Sequence, residues 1–141
     1  MTSTPYIEIY DIFLSKIEDY DIQNKLKVDF DFANELLFDF LRSAIPKFTY
    51  SVKDLSNRDN VLFQFNLQLT DMEKEILGTL MVVEYLSPKI LRSEFLDSRF
   101  GSKDKPEFSP ANQLKEMREL RTMFKDEVNL LMIEYYYRQG V

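Results

Sequence analysis

The feature that most constrains this chain is an uninterrupted helical stretch near its C-terminus. Ser109 can cap a helix, Pro110 suits the first helical position, and no Gly or Pro follows until Gly140. At about 1.5 Å per residue this helix is about 43 Å long, against about 37 Å for the diameter of a compact globule of this chain length. We therefore predict a long C-terminal helix over about residues 110–138 that extends beyond the body of its own subunit.

Three faces of this helix carry different chemistry when successive residues are turned by about 100°. The predicted core-facing stripe is apolar and consists of Met117, Leu120, Phe124, Val128, Leu131 and Tyr135. One flank is basic, with Lys115, Arg118, Arg121 and Lys125, and the other is acidic, with Glu116, Glu119, Asp126, Glu127 and Glu134. Two interpretations are open. The charges cover a solvated face, as on most amphipathic helices, or identical copies stand side by side in a ring, basic edge against acidic edge.

The last two turns of the helix are apolar on nearly all sides. They contain Tyr135, Tyr136, Tyr137 and Arg138, together with Leu130, Met132 and Ile133. Consecutive residues point about 100° apart, so the helix cannot bury all three tyrosines against one neighbour. Tyr and Arg are common anchors of protein interfaces, and an exposed patch of this kind indicates a partner. Burial of this helix end within its own domain is the alternative.

Composition excludes several classes of site. The 141 residues, 45% of them hydrophobic, fit one domain over residues 1–141. The absence of Cys and His removes thiolate chemistry, the commonest general base and the commonest metal ligands. Three glycines cannot supply a P-loop or a dinucleotide fingerprint. We expect a non-enzyme with no catalytic residue, cofactor or metal site, although 24 acidic residues leave a carboxylate-only metal site or acid pair open.

The negative charge is concentrated at the N-terminus. The formal net charge is −6, and residues 1–40 hold nine of the Asp and Glu but only three Lys. An acidic protein of this kind is not expected to bind nucleic acid by neutralising phosphates. The acidic segment is either a solvated helix and loop, or part of a wall along which DNA slides without sticking.

Neither a secretion signal nor a membrane span is predicted. Glu8 and Asp11 stand where a signal peptide requires apolar residues. The longest apolar run, residues 76–83, is far shorter than the roughly 20 residues that cross a bilayer. We expect a soluble protein without membrane contact.

Apolar residues at three- and four-residue spacing predict three further helices. The first begins after Thr4, a candidate cap, and Pro5; the second ends at Pro46. The apolar stripe of the first helix consists of Tyr6, Ile9, Tyr10, Phe13, Leu14 and Ile17. The stripe of the second helix consists of Phe32, Leu36, Leu37, Phe40, Leu41 and Ala44. The polar stretch 18–29 between them is ambiguous.

A capping box opens the third predicted helix. Thr70 and Glu73 give the T-x-x-E pattern, and an apolar run follows. Gly78 inside this helix costs about 1 kcal/mol relative to Ala unless a neighbouring backbone comes close there, so we predict close helix packing at Gly78. Ser87 and Pro88 are expected to start a separate helical segment, and residues 100–110 to form a loop.

Between residues 47 and 69 the apolar period changes to two. Phe48, Tyr50 and Val52 alternate with polar residues, as do Phe63, Phe65, Leu67 and Leu69. This pattern predicts a small β-hairpin with a long loop. Because an isolated hairpin is marginally stable, an irregular excursion is the alternative.

Several segments together resemble structural neck proteins of tailed bacteriophages, the head–tail connector, adaptor or head-completion proteins. They are FTYSVKDL at 48–55, FNLQLTDMEKEIL at 65–77, LMVVEYL at 80–86, GSKD at 101–104 and SPANQLKEMREL at 109–120. The resemblance covers about residues 6–138, and its motifs are apolar and helical rather than catalytic. Tyr85 stands where Trp is expected and Ser51 where Cys is common, and neither exchange affects a packing role.

The resemblance implies a mainly helical bundle that assembles into a homo-oligomeric ring beneath the portal. Such a ring matches the portal symmetry, extends the DNA channel without sequence-specific binding, and docks the next neck or tail protein. Its location is the virion neck, after synthesis in the bacterial cytoplasm. The alternative function is a small acidic cytosolic phage protein that binds and inhibits a host protein through its N-terminal carboxylates.

Overall fold

Helix α3 is the element on which the other helices pack. The computed structural model describes residues 2–17, 27–100 and 110–139. Within these ranges the α-helices are α1 (Tyr6–Lys16), α2 (Phe30–Ala44), α3 (Asp71–Phe100) and α4 (Pro110–Arg138), with a 3-10 turn at Ile45–Lys47. Helix α3 contacts each of the other three. The prediction of a mainly α fold with a long C-terminal helix is confirmed.

Aromatic rings join α1 and α2 to the middle of α3. The Tyr85 ring of α3 lies edge-on to Phe13 of α1 at 5.5 Å and to Phe40 of α2 at 5.6 Å between ring centroids. Buried apolar residues from all four helices belong to one cluster. Burial of this cluster, at about 25 cal/mol per Å² of apolar surface, is the main favourable term in the fold.

Helix α4 does not project alone from the body of the subunit. It runs antiparallel to α3, with Tyr135 beside Glu73 at one end and Arg118 beside Glu94 towards the other. The two helices have 30 and 29 residues, so they extend together as a hairpin. The last helix, which was predicted to extend beyond the body of its subunit, is therefore accompanied along its length by α3, which is one residue longer.

The segment between α2 and α3 is mostly irregular. Short strands lie at β1 (Thr4–Pro5), β2 (Arg58–Asp59) and β3 (Gln64–Phe65), and β3 pairs antiparallel with both of the others. Residues 47–53, which the alternation predicted as a strand, form turns because Phe48 packs inward against the Tyr135 ring. The hairpin that does form connects residues 58–59 to 64–65.

Two predicted helix boundaries differ from the structure. Thr4 is not a helix cap: its buried hydroxyl donates to the Leu67 carbonyl and accepts from the Leu69 N–H, both at 2.9 Å. Pro88 does not start a new helix but lies inside α3. The helix continues through it because apolar burial on both sides, including Leu86 and Ile90, offsets the missing N–H donor.

The capping box at the start of α3 is confirmed. The Thr70 N–H donates to Glu73 Oε1 at 2.7 Å, and the Glu73 N–H donates to Thr70 Oγ1 at 3.2 Å. Helices α1 and α2 and the end of α2 near Pro46 also lie where they were predicted. The Ser109 cap, the loop at 101–109 and the polar stretch 18–26 lie outside the described residues.

Gly78 lies at a close approach of α1 to α3, and the predicted close helix packing at this position is confirmed. A Cβ placed on Gly78 would lie 2.5 Å from Ile12 Cγ2 and 3.0 Å from Ile12 Cβ. Both atoms sit at the stiff, branched base of the Ile12 side chain, which has little freedom to move away. Any side chain at position 78 therefore pushes the two helices apart.

We predict that Gly78→Ala destabilises the protein by about 1–3 kcal/mol, since overpacking outweighs the about 1 kcal/mol that Ala gains in helix propensity. Urea denaturation followed by circular dichroism measures this change. Ile12→Ala removes the clashing Cγ2. Gly78→Ala should therefore lower the free energy of unfolding much less in the Ile12→Ala variant than in wild type. Increased stability of the Gly78→Ala single variant would contradict the close-packing interpretation.

Candidate protein interaction surface

One face of α4 packs on α3 along a seam with alternating three- and four-residue spacing. The seam positions are Leu114, Met117, Arg121, Phe124, Val128, Leu131 and Tyr135, and Met132 is buried beside them. This is the seven-residue repeat of paired helices. The predicted stripe is right at most positions but wrong at Leu120, which is 42% exposed. The seven-residue repeat places Arg121 in the seam instead.

A buried carboxylate fixes the C-terminal end of α4. The Glu73 side chain is 1% exposed. It accepts hydrogen bonds from the Thr70 N–H at 2.7 Å, from Lys53 Nζ at 2.9 Å and from the Tyr135 hydroxyl at 2.7 Å. Burial raises the pKa of Glu73, but these hydrogen bonds outweigh burial and hold the pKa below its ordinary value. The carboxylate therefore stays ionised and binds α3, α4 and the irregular segment together.

Tyr135 belongs to this buried network and not to an outer surface. Its hydroxyl also accepts from the Val52 N–H at 3.1 Å, and its ring lies edge-on to Phe48. Burial and the Glu73 carboxylate raise the pKa of Tyr135 to about 12, so the hydroxyl remains a donor at neutral pH. Its assignment to a partner interface was therefore wrong: for this residue, burial within its own domain is the observed outcome.

The other three residues of the C-terminal cluster are exposed. Tyr136 rests on Tyr50 with 5.2 Å between ring centroids, and Tyr137 lies against Tyr136 at 5.6 Å. Arg138 donates to Glu134 at 2.7 Å, one turn earlier. These side chains are accessible to a partner, and their assignment to an interface stays a prediction.

The charged flanks are partly neutralised within the subunit. Arg118 pairs with Glu94 at 2.7 Å, and Glu127 lies 3.8 Å from the Lys16 Nζ of α1. Arg121 lies half-buried in the seam. Charged residues of the two edges that are exposed and have no ion partner in the described part of the chain are Lys115 and Lys125 on the basic edge and Glu116, Glu119 and Asp126 on the acidic edge. These five remain as candidates for contact between copies.

A second apolar stripe lies on the face of α4 opposite the seam. Met123, Leu130 and Tyr137 are seven residues apart, with Ile133 beside them, and all four are exposed. Three acidic-edge residues share this outer face: Glu119 and Asp126 stand fourteen and seven residues before Ile133, and Glu116 stands seven residues before Met123. The core-facing stripe was predicted from the sequence, whereas this second stripe was not, although the sequence holds its seven-residue spacing. Apolar side chains aligned along one exposed helix face are typical of a helix-docking surface.

Across residues 2–17, 27–100 and 110–139, no group of three or more acidic, Cys or His side chains could hold a metal ion. No helix in these ranges has the length and apolar character needed to cross a membrane.

Comparison with known proteins yields no relative: no family model matches the sequence, and no curated protein or solved structure is significantly similar to it. The resemblance to phage neck proteins therefore stays a prediction from the sequence segments.

We predict that Glu73→Gln lowers the free energy of unfolding at pH 7 by about 2–3 kcal/mol, since buried hydrogen bonds to a charged group are lost. Glu75→Gln is the matched control. Glu75 is 38% exposed and pairs with Lys16, so its loss should cost less than about 1 kcal/mol.

The same two variants should also differ in how their stability depends on pH. Because the folded pKa of Glu73 lies below the ordinary value of 4.5, its stabilising contribution is present above pH 4.5 and is lost as pH falls through the folded pKa. Urea titrations from pH 7 to pH 3 should show a shallower loss of stability in Glu73→Gln than in wild type or Glu75→Gln. Parallel curves for all three proteins would contradict the ionised state of Glu73.

Proposed function

We propose that this protein is a non-enzymatic structural protein that assembles through the outer face of α4. The observation that carries the proposal is the outer stripe, four exposed apolar side chains on one face of a rigid helix. Exposed stripes of this kind cost solubility in a monomer and are usually covered by a partner. The acidic residues on this face and the unpaired Lys115 and Lys125 of the basic edge suit contact between unlike surfaces of identical copies.

The specific assembly we propose is a ring in the neck of a tailed bacteriophage, located in the virion after assembly in the host cytoplasm. The sequence resemblance supports this role, together with an acidic N-terminal region suited to a channel that DNA passes without binding. The ring matches the portal symmetry, continues the DNA channel, and docks the portal on one side and the next neck or tail protein on the other.

Contact between neighbouring copies joins opposite charges. Lys115 and Lys125 of one copy face Glu119 and Asp126 of the next, which share the outer face with the apolar stripe. Such exposed pairs contribute little affinity individually but set orientation and partner choice. The apolar stripe supplies most of the free energy of association.

We predict that Leu130→Glu blocks ring formation and leaves the subunit folded. Leu130 is 68% exposed, so the change removes apolar contact area without disturbing the core. Leu91→Glu is the matched control, because Leu91 is 67% exposed on α3 and lies outside the outer stripe. Light scattering and negative-stain electron microscopy, with the portal protein of the same virus present, measure assembly, and thermal unfolding checks the fold.

Rings of wild type and Leu91→Glu, with monomers of Leu130→Glu, support the proposal. Absence of rings from the wild type in the presence of the portal would contradict it, as would equal disruption by both variants. Lys115→Glu with Lys125→Glu tests the charged edges separately. Lys115 and Lys125 are better suited to this charge reversal than Arg118 and Arg121. Within the subunit, Arg118 pairs with Glu94 and Arg121 lies in the seam.

A cleft at the N-terminal end favours a second candidate function, binding of a host protein. Exposed Ile7, Phe30, Leu62 and Phe63 line this cleft of about 530 Å³ with Asp31 and Glu35. The buried Tyr10 hydroxyl in its wall has no hydrogen-bond partner among the described residues. Apolar walls and an acidic rim suit a segment that carries apolar and basic side chains.

For this second function we expect a one-to-one complex with a host protein that weakens as salt concentration rises. Phe30→Ser should weaken that complex, and Leu130→Glu should leave it unchanged. Calorimetric titration at two salt concentrations measures both effects, and the opposite response of the two variants would instead favour the outer stripe as the binding surface.

A further inference from the structure

A second cleft, of about 260 Å³, lies between α3 and α4 beside the 3-10 turn. Its floor is apolar and is formed by Leu80, Val83, Val128 and Met132. Its polar side chains are Lys47, Glu84, Arg121, Lys125 and Asn129. Three cationic groups therefore surround a single carboxylate.

The charges in this cleft are not balanced by the subunit itself. Lys47 Nζ lies 2.9 Å from Glu84 Oε1, and this pair leaves the charges of Arg121 and Lys125 without a carboxylate among the described residues. The excess of positive charge stands out in a chain whose formal net charge is −6. Apolar walls strengthen the field inside the cleft because water is partly excluded.

Arg121 is the residue that packing does not explain. It occupies a seam position that Leu, Phe, Val or Tyr fills elsewhere on α4. Its Nε is buried and has no hydrogen-bond partner among the described residues. A buried donor without a partner costs about 1–3 kcal/mol, and an apolar side chain in the seam would avoid this cost. Arg121 lines the cleft, so its position is better explained by a ligand that accepts hydrogen bonds from the terminal nitrogens of its guanidinium group.

The chemistry of the cleft identifies that ligand. The planar guanidinium group presents paired N–H donors that match two oxygens of a carboxylate or phosphate. Lys125 adds a second positive charge, and the Asn129 amide adds a donor one turn further along α4.

We propose that this cleft is an oxyanion-binding site in which Arg121 and Lys125 hold a carboxylate or phosphate group. Two sources supply that chemistry: a free phosphate or organic acid, or an acidic-edge side chain of a second copy of this chain. The site itself does not require ring assembly. Only the second source rests on the proposed function, and it would make Arg121 the specificity residue of the contact between copies.

Titration of the ¹⁵N-labelled full chain with sodium phosphate and with glutarate, at constant ionic strength, tests the site. Amide shifts should be localised around residues 47, 84, 121, 125 and 129. Arg121→Leu and Lys125→Gln should each weaken binding by about tenfold, the effect of losing about 1.4 kcal/mol of charge-assisted hydrogen bonding. Lys115→Gln, an exposed Lys on the same helix and outside the cleft, should bind like wild type.

Thermal unfolding separates binding from packing at position 121. Arg121→Leu should unfold at the same or a higher temperature than wild type, since Leu completes the apolar seam. A residue kept for packing would give the reverse result. Because Lys125 is exposed, Lys125→Gln keeps the binding test valid even if Arg121→Leu is unstable.

Assembly distinguishes the two sources. If a second copy supplies the carboxylate, phosphate should inhibit ring formation, and Asp126→Asn or Glu119→Gln should weaken it. Phosphate binding without any effect on assembly identifies a free oxyanion. If neither phosphate nor glutarate shifts the cleft residues of the wild type, the site is overturned, whether or not rings form.

Discussion

The structure depends on one buried charge, the carboxylate of Glu73. Three elements meet at this group: the N-terminus of α3 through Thr70, the irregular segment through Lys53, and the end of α4 through Tyr135. An ionised group with almost no exposure is tolerated only when its hydrogen bonds are complete. The carboxylate therefore fixes where α4 ends relative to α3. It thereby sets the axial alignment of the two helices and the direction in which the outer face of α4 points.

From that anchored end, α4 runs back along α3 with an apolar seam that is interrupted once, at Arg121. The interruption is costly for packing, and it creates the cationic cleft beside Glu84 and Lys47. On the opposite side of the same helix, the outer stripe leaves apolar surface in solvent. Both features reduce stability or solubility in an isolated subunit. Residues that oppose the stability of a fold are expected where a protein binds something.

Much of the fold could be predicted from local patterns. The capping box at Thr70 and Glu73, the spacing of Tyr6, Ile9, Tyr10 and Phe13, and the need for close packing at Gly78 depend on neighbouring residues, and the structure confirms each of them. The helix start at Ser87 and Pro88 was predicted wrongly, and of the two alternatives for residues 47–53, strand or irregular segment, the structure has the irregular one, for one shared reason. Burial against distant residues overrode a local preference, which a sequence window cannot detect.

The candidate sites likewise combine features that the sequence predicts with features that depend on tertiary contacts. Residue types and helical spacing predict that α4 is long, that it carries oppositely charged edges, which of its apolar stripes faces the core, and that Cys and His chemistry is absent. The tertiary structure was needed to show that α3 is the helix on which this stripe packs and that Arg121, rather than Leu120, lies in the seam. It buried Tyr135 with Glu73, left Met123, Leu130 and Tyr137 outside, and placed Arg121 beside Lys47 from a different part of the chain. The physical reason is that helix rotation is set by packing against a partner, through contacts between residues far apart in sequence.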